Sequence, residues 1–252
     1  MIVDAHVHLP VYEGLQTLQQ KKARLLADME RDGIDACVVI SDSELDSAIG
    51  SMEQCVQLFA EEPNIHVVCG ISPLIDYEAQ LNRLRRFLSA GKAAGIKLFP
   101  GHEGFYLSDA RLAPVLELAQ AFSVPVLFHS GWVQAFYADA QEARSVLTAH
   151  PALTLVCSHC FYPDLRACLD LKDFSNLMYD LSSVADDPAI AQKLVPDIQA
   201  LIDRCPDRVM FGSDYASCER QPHLDLMRQL RMDAATAEKV MGLNARRVYW
   251  KG

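Results

Sequence analysis

The chain has 252 residues, half of them hydrophobic, which is enough for one large buried core. Its formal net charge of −10 argues against a nucleic-acid partner, because phosphate backbones attract clusters of Lys and Arg. No segment reaches the roughly 20 apolar residues of a membrane helix, and the first residues lack the pattern of a secretory signal. We therefore expect no membrane contact and a cytoplasmic location, with the scattered cysteines as reduced thiols.

Short apolar runs alternate with amphipathic stretches along the chain. In chain order, the first half predicts strands at 2–6, 34–40, 65–71 and 94–99, separated by helices at 14–32, 42–61 and 76–91. The second of these helices is expected to begin at Asp42 or Ser43, since both residue types are good N-caps. A long loop rich in Gly and aromatic residues follows the fourth strand, and the fourth helix is expected after Asp109.

The same alternation continues to the end of the chain. The second half predicts strands at 124–129, 153–159, 177–182 and 208–214, with helices at 139–149, 163–172, 188–204, 221–230 and 234–241. Strict alternation predicts parallel strands, and eight such units predict a single-domain α/β fold, a (β/α)8 TIM barrel over residues 1–252. A doubly wound open sheet is the alternative. It usually carries a Gly-rich phosphate turn after its first strand, whereas this chain has His6 and His8 there.

Polar side chains, most of them ionisable, collect at the carboxyl ends of the predicted strands. In a parallel barrel the strands are buried on both faces, so polar residues inside them require a reason. Active sites of such barrels are built at this end, which predicts one polar cluster at the barrel mouth. The residues concerned are His6, His8, Lys97, His129, His159, Asp180, Ser182 and Asp214.

His6 and His8 are two residues apart, so on a regular strand their side chains share a face and can bind one metal ion together. His129 and Asp214, from other strands, can complete the set. Neutral imidazoles and a carboxylate suit a catalytic divalent metal, zinc in the first place and manganese as the alternative. Taken singly, Asp214 also fits a helix N-cap, and Lys97 fits an anion binder or a buried partner of a carboxylate.

Four further histidines are expected to have no part in a metal site. His66 begins a strand and His150 precedes one, so both belong at the opposite end of the barrel. His102 lies in the long fourth loop and His223 follows the eighth strand. Both are within reach of a substrate, but we expect them on the surface.

Six short motifs carry a resemblance to a known family: DAHVH (4–8), GIKLFPG (95–101), LFHSG (127–131), SHC (158–160), MFGSDY (210–215) and NARRVY (244–249). In this order and at this spacing the chain resembles the amidohydrolase superfamily. The resemblance is to its amidohydrolase-related branch, which includes aminocarboxymuconate semialdehyde decarboxylase-like enzymes and lactonases. The common Pro after Ser-Asp-Tyr is missing here, where the chain reads SDYAS (213–217).

The resemblance implies a role for each matching residue. His6, His8 and His129 would bind the metal, and Asp214 would bind it and move the proton of the attacking water. His159 would orient or polarise the substrate. Lys97 stands where members with two metals carry a carboxylated lysine, but in this branch a similar Gly-Ile-Lys-Leu stretch usually accompanies a single metal. The resemblance therefore implies one metal and leaves two open.

Two enzyme hypotheses follow, and both use a small-molecule substrate, either carboxylated or aromatic. The first is hydrolysis of a lactone, ester or amide by a metal-activated water; the alternative is non-oxidative decarboxylation of an aromatic or enoic acid. Lys97 or Arg220 would steady a carboxylate, and Tyr106 or Trp132 would stack on a planar ring.

Two further readings have less support. A metal-dependent phosphoesterase or deoxyribonuclease usually has Glu where this chain has Lys97. A non-catalytic barrel should have lost a ligand position, and none is lost. Barrels of this type often form homodimers, although the sequence shows no specific interface.

Overall fold

Eight short strands pair in parallel within residues 1–132 and 134–250, which are the residues that this computed structural model describes. They are β1 (Val3–Val7), β2 (Ala36–Ile40), β3 (Ile65–Gly70), β4 (Gly95–Leu98), β5 (Val126–His129), β6 (Leu155–Ser158), β7 (Leu177–Asp180) and β8 (Val209–Met210). Each strand pairs with the next along the chain. Backbone bonds from Ala5 N to Phe211 O (3.0 Å) and from Asp214 N to His6 O (2.9 Å) join the last strand to the first. The (β/α)8 barrel is therefore confirmed.

Helices cover the outside of this barrel. They are α1 (Leu18–Asp32), α2 (Met52–Leu58), α3 (Tyr77–Ser89), α4 (Ala113–Ala121), α5 (Ala140–Ala149), α6 (Pro188–Arg204), α7 (Arg220–Gln229), α8 (Ala234–Glu238) and α9 (Asn244–Tyr249). Short 3₁₀ segments lie at Ala110–Leu112, Ala135–Ala138, His159–Phe161 and Leu165–Leu171, and a π-helical turn lies at Lys239–Leu243. None of the helices in the described residues combines the length and apolar character required to cross a membrane.

Helix α2 begins ten residues later than the sequence predicts. Ser51 is its N-cap, accepting a hydrogen bond from the backbone of Gln54, whose side chain bonds back to the Ser51 backbone. Asp42 instead accepts bonds from the Ser43 backbone (2.7 Å) and from the Ser47 hydroxyl (2.5 Å). The side-chain chemistry that makes Asp42 a good cap is thus used inside a loop.

The region predicted as a helix at 163–172 forms a 3₁₀ segment, and α9 was not predicted. The eight cysteines are free, buried thiols, as expected.

A β-bulge in β1 decides which of its side chains enter the barrel. Asp4 pairs with Cys37 and Val7 pairs with Val39, so two residues of β1, Ala5 and His6, lie opposite Val38 alone. The side chain of Asp4 therefore meets the helices outside the barrel, while His6 turns towards the barrel mouth. Simple alternation would have placed Asp4 and His6 on one face.

Candidate metal centre

His6 is held by a buried carboxylate. Its Nδ1 atom lies 2.6 Å from Oδ2 of Asp180, at the end of β7, and 3.2 Å from the Ser182 hydroxyl. Burial, reinforced by the charge of Lys97, lowers the pKa of His6 well below its usual value, so the ring is neutral at pH 7. With Nδ1–H donated to Asp180, the lone pair of Nε2 is free and lies 3.5 Å from Oδ1 of Asp214.

His8 is oriented in the same way by a backbone group. Its Nδ1 atom lies 3.0 Å from the carbonyl oxygen of Ile40, at the end of β2, and donates to it. This contact orients the ring so that Nε2 lies 3.2 Å from Oδ1 of Asp214. The Nε2 atoms of two imidazoles therefore converge on one carboxylate oxygen.

Asp214 follows β8 in the left-handed region, with φ at 59°. Its Oδ2 accepts a hydrogen bond from the Ser183 hydroxyl at 2.6 Å. Its Oδ1 is buried, faces the two histidines and makes no hydrogen bond with any described residue. Burial alone would raise the pKa of Asp214, but positive charge beside Oδ1, at the position that His6 and His8 face, holds it well below the usual range. The carboxyl group is thus ionised at neutral pH.

These three residues fit a divalent metal. Among the described residues, His6, His8 and Asp214 form a group whose ligand atoms lie within 4.8 Å of one another. A buried carboxylate oxygen without a hydrogen-bond partner costs free energy unless a cation satisfies it. Two neutral imidazoles and one carboxylate are a donor set common to zinc and other catalytic divalent metals. The structure therefore supports a metal site here without distinguishing zinc from manganese.

The other predicted histidines form the neighbouring wall of the site. The His159 ring lies 5.0 Å from His6 and 4.8 Å from His129, measured between centroids. His129 lies outside the group of converging ligand atoms. Burial lowers the pKa of His159 to about 3. Its Nδ1 lies 3.2 Å from the carbonyl oxygen of Ser182, which leaves Nε2 for the cleft.

Lys97 is a cation buried at the floor of the site. Its Nζ donates to the Ser158 hydroxyl at 3.1 Å, and no carboxylate of the described residues lies within ion-pair distance. Burial lowers the pKa of Lys97 to about 8, so the ammonium form still dominates at pH 7. A buried ammonium without a carboxylate beside it is suited to an anionic ligand.

A cleft of about 580 Å³ opens over these residues, a size typical of small-molecule sites. Its lining residues are His6, His8, Lys97, Phe99, Gly101, His102, His129, Trp132, Gln134, His159, Ser183, Asp186, Asp214, Ser217 and Cys218. Trp132 is 41% exposed in this wall. Tyr106 does not line the cleft; its ring packs 4.8 Å from that of Tyr137.

Arg220 is not at the cleft, which corrects its predicted role as a substrate-binding residue. It is 2% exposed and forms ion pairs with Asp4 (2.8 Å) and Asp32 (2.7 Å). It belongs to a second cleft of about 660 Å³ on the far side of the 214–218 turn. Both carboxylates are remote from Arg220 in the sequence, so no local pattern indicated the pairing.

Two histidines expected on the surface are placed differently. His102 lines the cleft, 4.1 Å from the His129 ring, because the long loop after β4 folds back over the barrel mouth. His223 is buried, with Nδ1 3.0 Å from the carbonyl oxygen of Glu219. His66 packs against Trp250 and His150 bonds to Gln120, both away from the cleft, as expected.

Sequence reasoning also missed the contacts made by Asp180, the last residue of β7, and by Ser183, which follows that strand. It placed Asp180 near the end of that strand but did not identify its bond to His6, and it gave Ser183 no part in the site. Asp180 carried one signal, because a carboxylate inside a parallel-barrel strand requires a partner.

Comparison with known proteins relates nearly the whole chain to one family. Residues 3–250 match the family model described as Amidohydrolase. No curated protein matches the chain by sequence. An uncharacterized TIM-barrel protein, Bb4693 from Bordetella bronchiseptica, has a similar structure, with 21% identity and a TM-score of 0.79 over 98% of this chain and 97% of that one.

Two further structures have named activities. One is a dihydroxybenzoic acid decarboxylase from Polaromonas sp. JS666 with bound manganese and the inhibitor 2-nitroresorcinol (16% identity, TM-score 0.66, 99% of this chain and 96% of that one). The other is a dihydroorotase from Campylobacter jejuni (18% identity, TM-score 0.65, 100% of this chain and 83% of that one). At these identities the likeness shows the fold alone.

Proposed function

The chain belongs to the amidohydrolase family, and from that premise we propose that it is a metal-dependent hydrolase of a small carbonyl substrate such as a lactone, ester or amide. The observation that carries the proposal is the convergence of His6 Nε2 and His8 Nε2 on the unbonded Oδ1 of Asp214. A divalent metal held there would supply Lewis-acid polarisation of a carbonyl oxygen and acidify a water molecule.

Asp214 has two functions in this proposal. Oδ1 faces the histidines as a ligand atom, while Oδ2 is held in place by the Ser183 hydroxyl at 2.6 Å. Because the carboxylate is ionised at neutral pH, it can accept the proton of the attacking water and pass it to the leaving group. Ser183 keeps the carboxylate plane fixed during that transfer.

His159, His129 and Lys97 surround the place where a substrate would lie. With Nδ1 held by the carbonyl oxygen (3.2 Å) and the hydroxyl (2.9 Å) of Ser182, neutral His159 presents Nε2 for a hydrogen bond with the substrate. His129 is proposed as a further ligand of the same metal. The two-metal alternative would require Lys97 to be carboxylated on Nζ, because an ammonium group has no lone pair to offer a metal.

The cleft favours a substrate that carries a carboxylate or an aromatic ring. Lys97 offers a buried positive charge at its floor, and Trp132 offers an exposed indole in its wall. Tyr106 and Arg220 have no place in substrate binding, because neither lines the cleft.

A second candidate is non-oxidative decarboxylation on the same residues. The buried ammonium of Lys97, which is suited to a substrate carboxylate, favours it, and the similar Polaromonas protein is named as a decarboxylase with bound manganese. In that reaction an acid in the site would protonate the substrate carbon, and no water would be incorporated.

The first test is metal analysis of the purified protein beside a His6→Ala/His8→Ala double variant. We expect one or two equivalents of zinc or manganese in the wild type and none in the variant. If the wild-type protein neither contains a divalent metal nor binds one when it is added, the proposal is overturned.

The second test separates the two reactions. Metal-loaded protein is assayed with lactones, cyclic amides and aromatic carboxylic acids in H₂¹⁸O. Incorporation of ¹⁸O into the product identifies hydrolysis, whereas release of carbon dioxide without ¹⁸O in the organic product identifies decarboxylation.

A further inference from the structure

Asp4 joins the first and last strands of the barrel behind the metal centre. Turned outward by the bulge, it accepts hydrogen bonds at Oδ1 from the Ser213 backbone (2.9 Å) and at Oδ2 from the Ser213 hydroxyl (2.6 Å). Oδ2 also accepts from Nε of Arg220 at 2.8 Å. All three residues are buried, and Asp4 and Ser213 are completely so.

Arg220 in turn ties this pair to the helices. Its Nη1 reaches Asp32, at the end of α1, at 2.7 Å, and its guanidinium carbon lies 4.3 Å from the centroid of the Tyr215 ring. Two carboxylates and an aromatic face compensate for much of the burial of this guanidinium, whose Nη2 has no hydrogen-bond partner among the described residues. A planar, forked cation matches that arrangement. The Tyr215 hydroxyl is itself fixed, donating to Asp28 at 2.5 Å.

These contacts hold the two residues on either side of Asp214. Ser213 is bonded to Asp4, and Tyr215 lies between Arg220 and Asp28. Asp214 has a positive φ of 59°, a conformation that a non-glycine residue keeps only when its surroundings impose it. Neither Asp4 nor Arg220 lines the cleft, so neither can touch a ligand there.

We infer that Asp4 and Arg220 are positioning residues of the metal centre, which hold the Asp214 carboxylate opposite His6 and His8. The inference rests on the proposed metal-dependent function and adds a specific ion pair to it. Partners that orient metal ligands typically affect metal affinity by about 10–100-fold, although they never touch the ion. Arg220 reaches Asp214 only through Asp4, Ser213 and Tyr215.

The test measures the dissociation constants for Zn²⁺ and Mn²⁺ by chelator competition, at a temperature well below unfolding. Arg220→Met is expected to weaken metal binding by about 10–100-fold. Arg220→Lys, which keeps the charge beside Asp4 but not the fork, should recover part of the loss. Ser213→Ala removes a hydroxyl that donates to Asp4 (2.6 Å) and accepts from the Tyr215 backbone (3.0 Å). It should weaken binding several-fold, so it serves if the Arg220 variants fail to fold.

Arg208→Met is the matched control. Arg208 immediately precedes β8, at the opposite end of the barrel, and also lies over a tyrosine ring, 5.8 Å from the centroid of Tyr179. This variant should lower the unfolding temperature without changing the metal dissociation constants.

The outcomes are distinguishable. If the wild type binds metal and folded Arg220→Met and Ser213→Ala bind it within twofold of the wild type, this inference is overturned and the proposed function stands. If Arg208→Met weakens metal binding as much as Arg220→Met, the effect is general destabilisation and the inference is also overturned. A wild type that binds no metal overturns both.

Discussion

Oδ2 of Asp180 lies 2.6 Å from Nδ1 of His6, with both side chains buried at the mouth of the barrel. Burial raises the pKa of Asp180 to about 6 and lowers that of His6. At pH 7 the carboxyl group is therefore mostly ionised, and the one proton between the two groups lies on Nδ1 of the neutral imidazole. The carboxylate fixes the tautomer of His6 and directs its Nε2 lone pair towards Asp214.

Asp180→Asn should therefore weaken metal binding by about 10–100-fold, because the amide no longer selects the correct tautomer of His6. Chelator competition measures the change. Asp187→Asn is the control, since Asp187 caps α6 in the same connection and Asn caps a helix equally well. Equal metal affinity in Asp180→Asn and the wild type would show that Asp180 does not orient His6.

Gly212 has no side chain, and the His6–Asp180 pair occupies the space that a side chain at this position would fill. A Cβ atom at this position would overlap Oδ1 of Asp180 and lie 3.2 Å from Cβ of His6. Gly212→Ala should cost about 1–3 kcal/mol of unfolding free energy by overpacking, and should weaken metal binding as Asp180 is displaced. Denaturant unfolding and metal titration test both effects. Gly104→Ala, with no atom near its added Cβ, should change neither.

Lys97 should make stability depend on pH in the alkaline range. Burial lowers its pKa to about 8 in the folded protein, against about 10.4 in an unfolded chain. The folded state therefore loses the proton first, and the unfolding free energy rises as pH increases between these two values. Below pH 8 both states are protonated, and the buried charge costs about 3 kcal/mol.

Metal-free Lys97→Met should accordingly be more stable than the metal-free wild type at pH 7, and this advantage should shrink towards pH 10. Urea unfolding at pH 7 and pH 9.5 measures the difference. The exposed Lys92→Met variant provides the baseline for loss of a lysine. A stability difference that is the same at both pH values would contradict burial of a charged Lys97.

Trp132 should report binding in the cleft. The chain has two tryptophans, and Trp250 packs against His66 away from the cleft. An aromatic carboxylate bound over the metal centre should quench the fluorescence of Trp132, and the quench should persist in Trp250→Phe and vanish in Trp132→Phe. Tyr106→Ala should leave the ligand affinity unchanged, since Tyr106 lies outside the cleft. Quenching that survives in Trp132→Phe would place the ligand elsewhere.

The barrel could be predicted because its signal is local and repeated. Each buried strand is a short apolar run, and each surface helix is amphipathic over several turns. Helix ends were less accurate where one residue type serves two purposes. Asp42 is as suitable for a loop turn as for a helix cap, and the choice depends on its partners Ser43 and Ser47.

Part of the candidate site could also be predicted, because the local pattern that marks each strand also marks where the strand ends. His6, His8 and Asp214 stand at strand ends, and the ends of parallel strands meet at one rim. Arg220 and His102 were misplaced because a loop or a helix start carries no periodic signal for what it faces.

The sequence by itself determined the alternation of strands and helices and the identity of the polar residues at the barrel mouth, since both follow from short-range pattern. The face on which each residue of β1 lies was decided only by the tertiary structure. Alternation groups Asp4 with His6 and His8, but the bulge opposite Val38 separates Asp4 from them and places it against Arg220. A bulge is a property of the pairing between two strands that are remote in the chain, so neither strand encodes it alone.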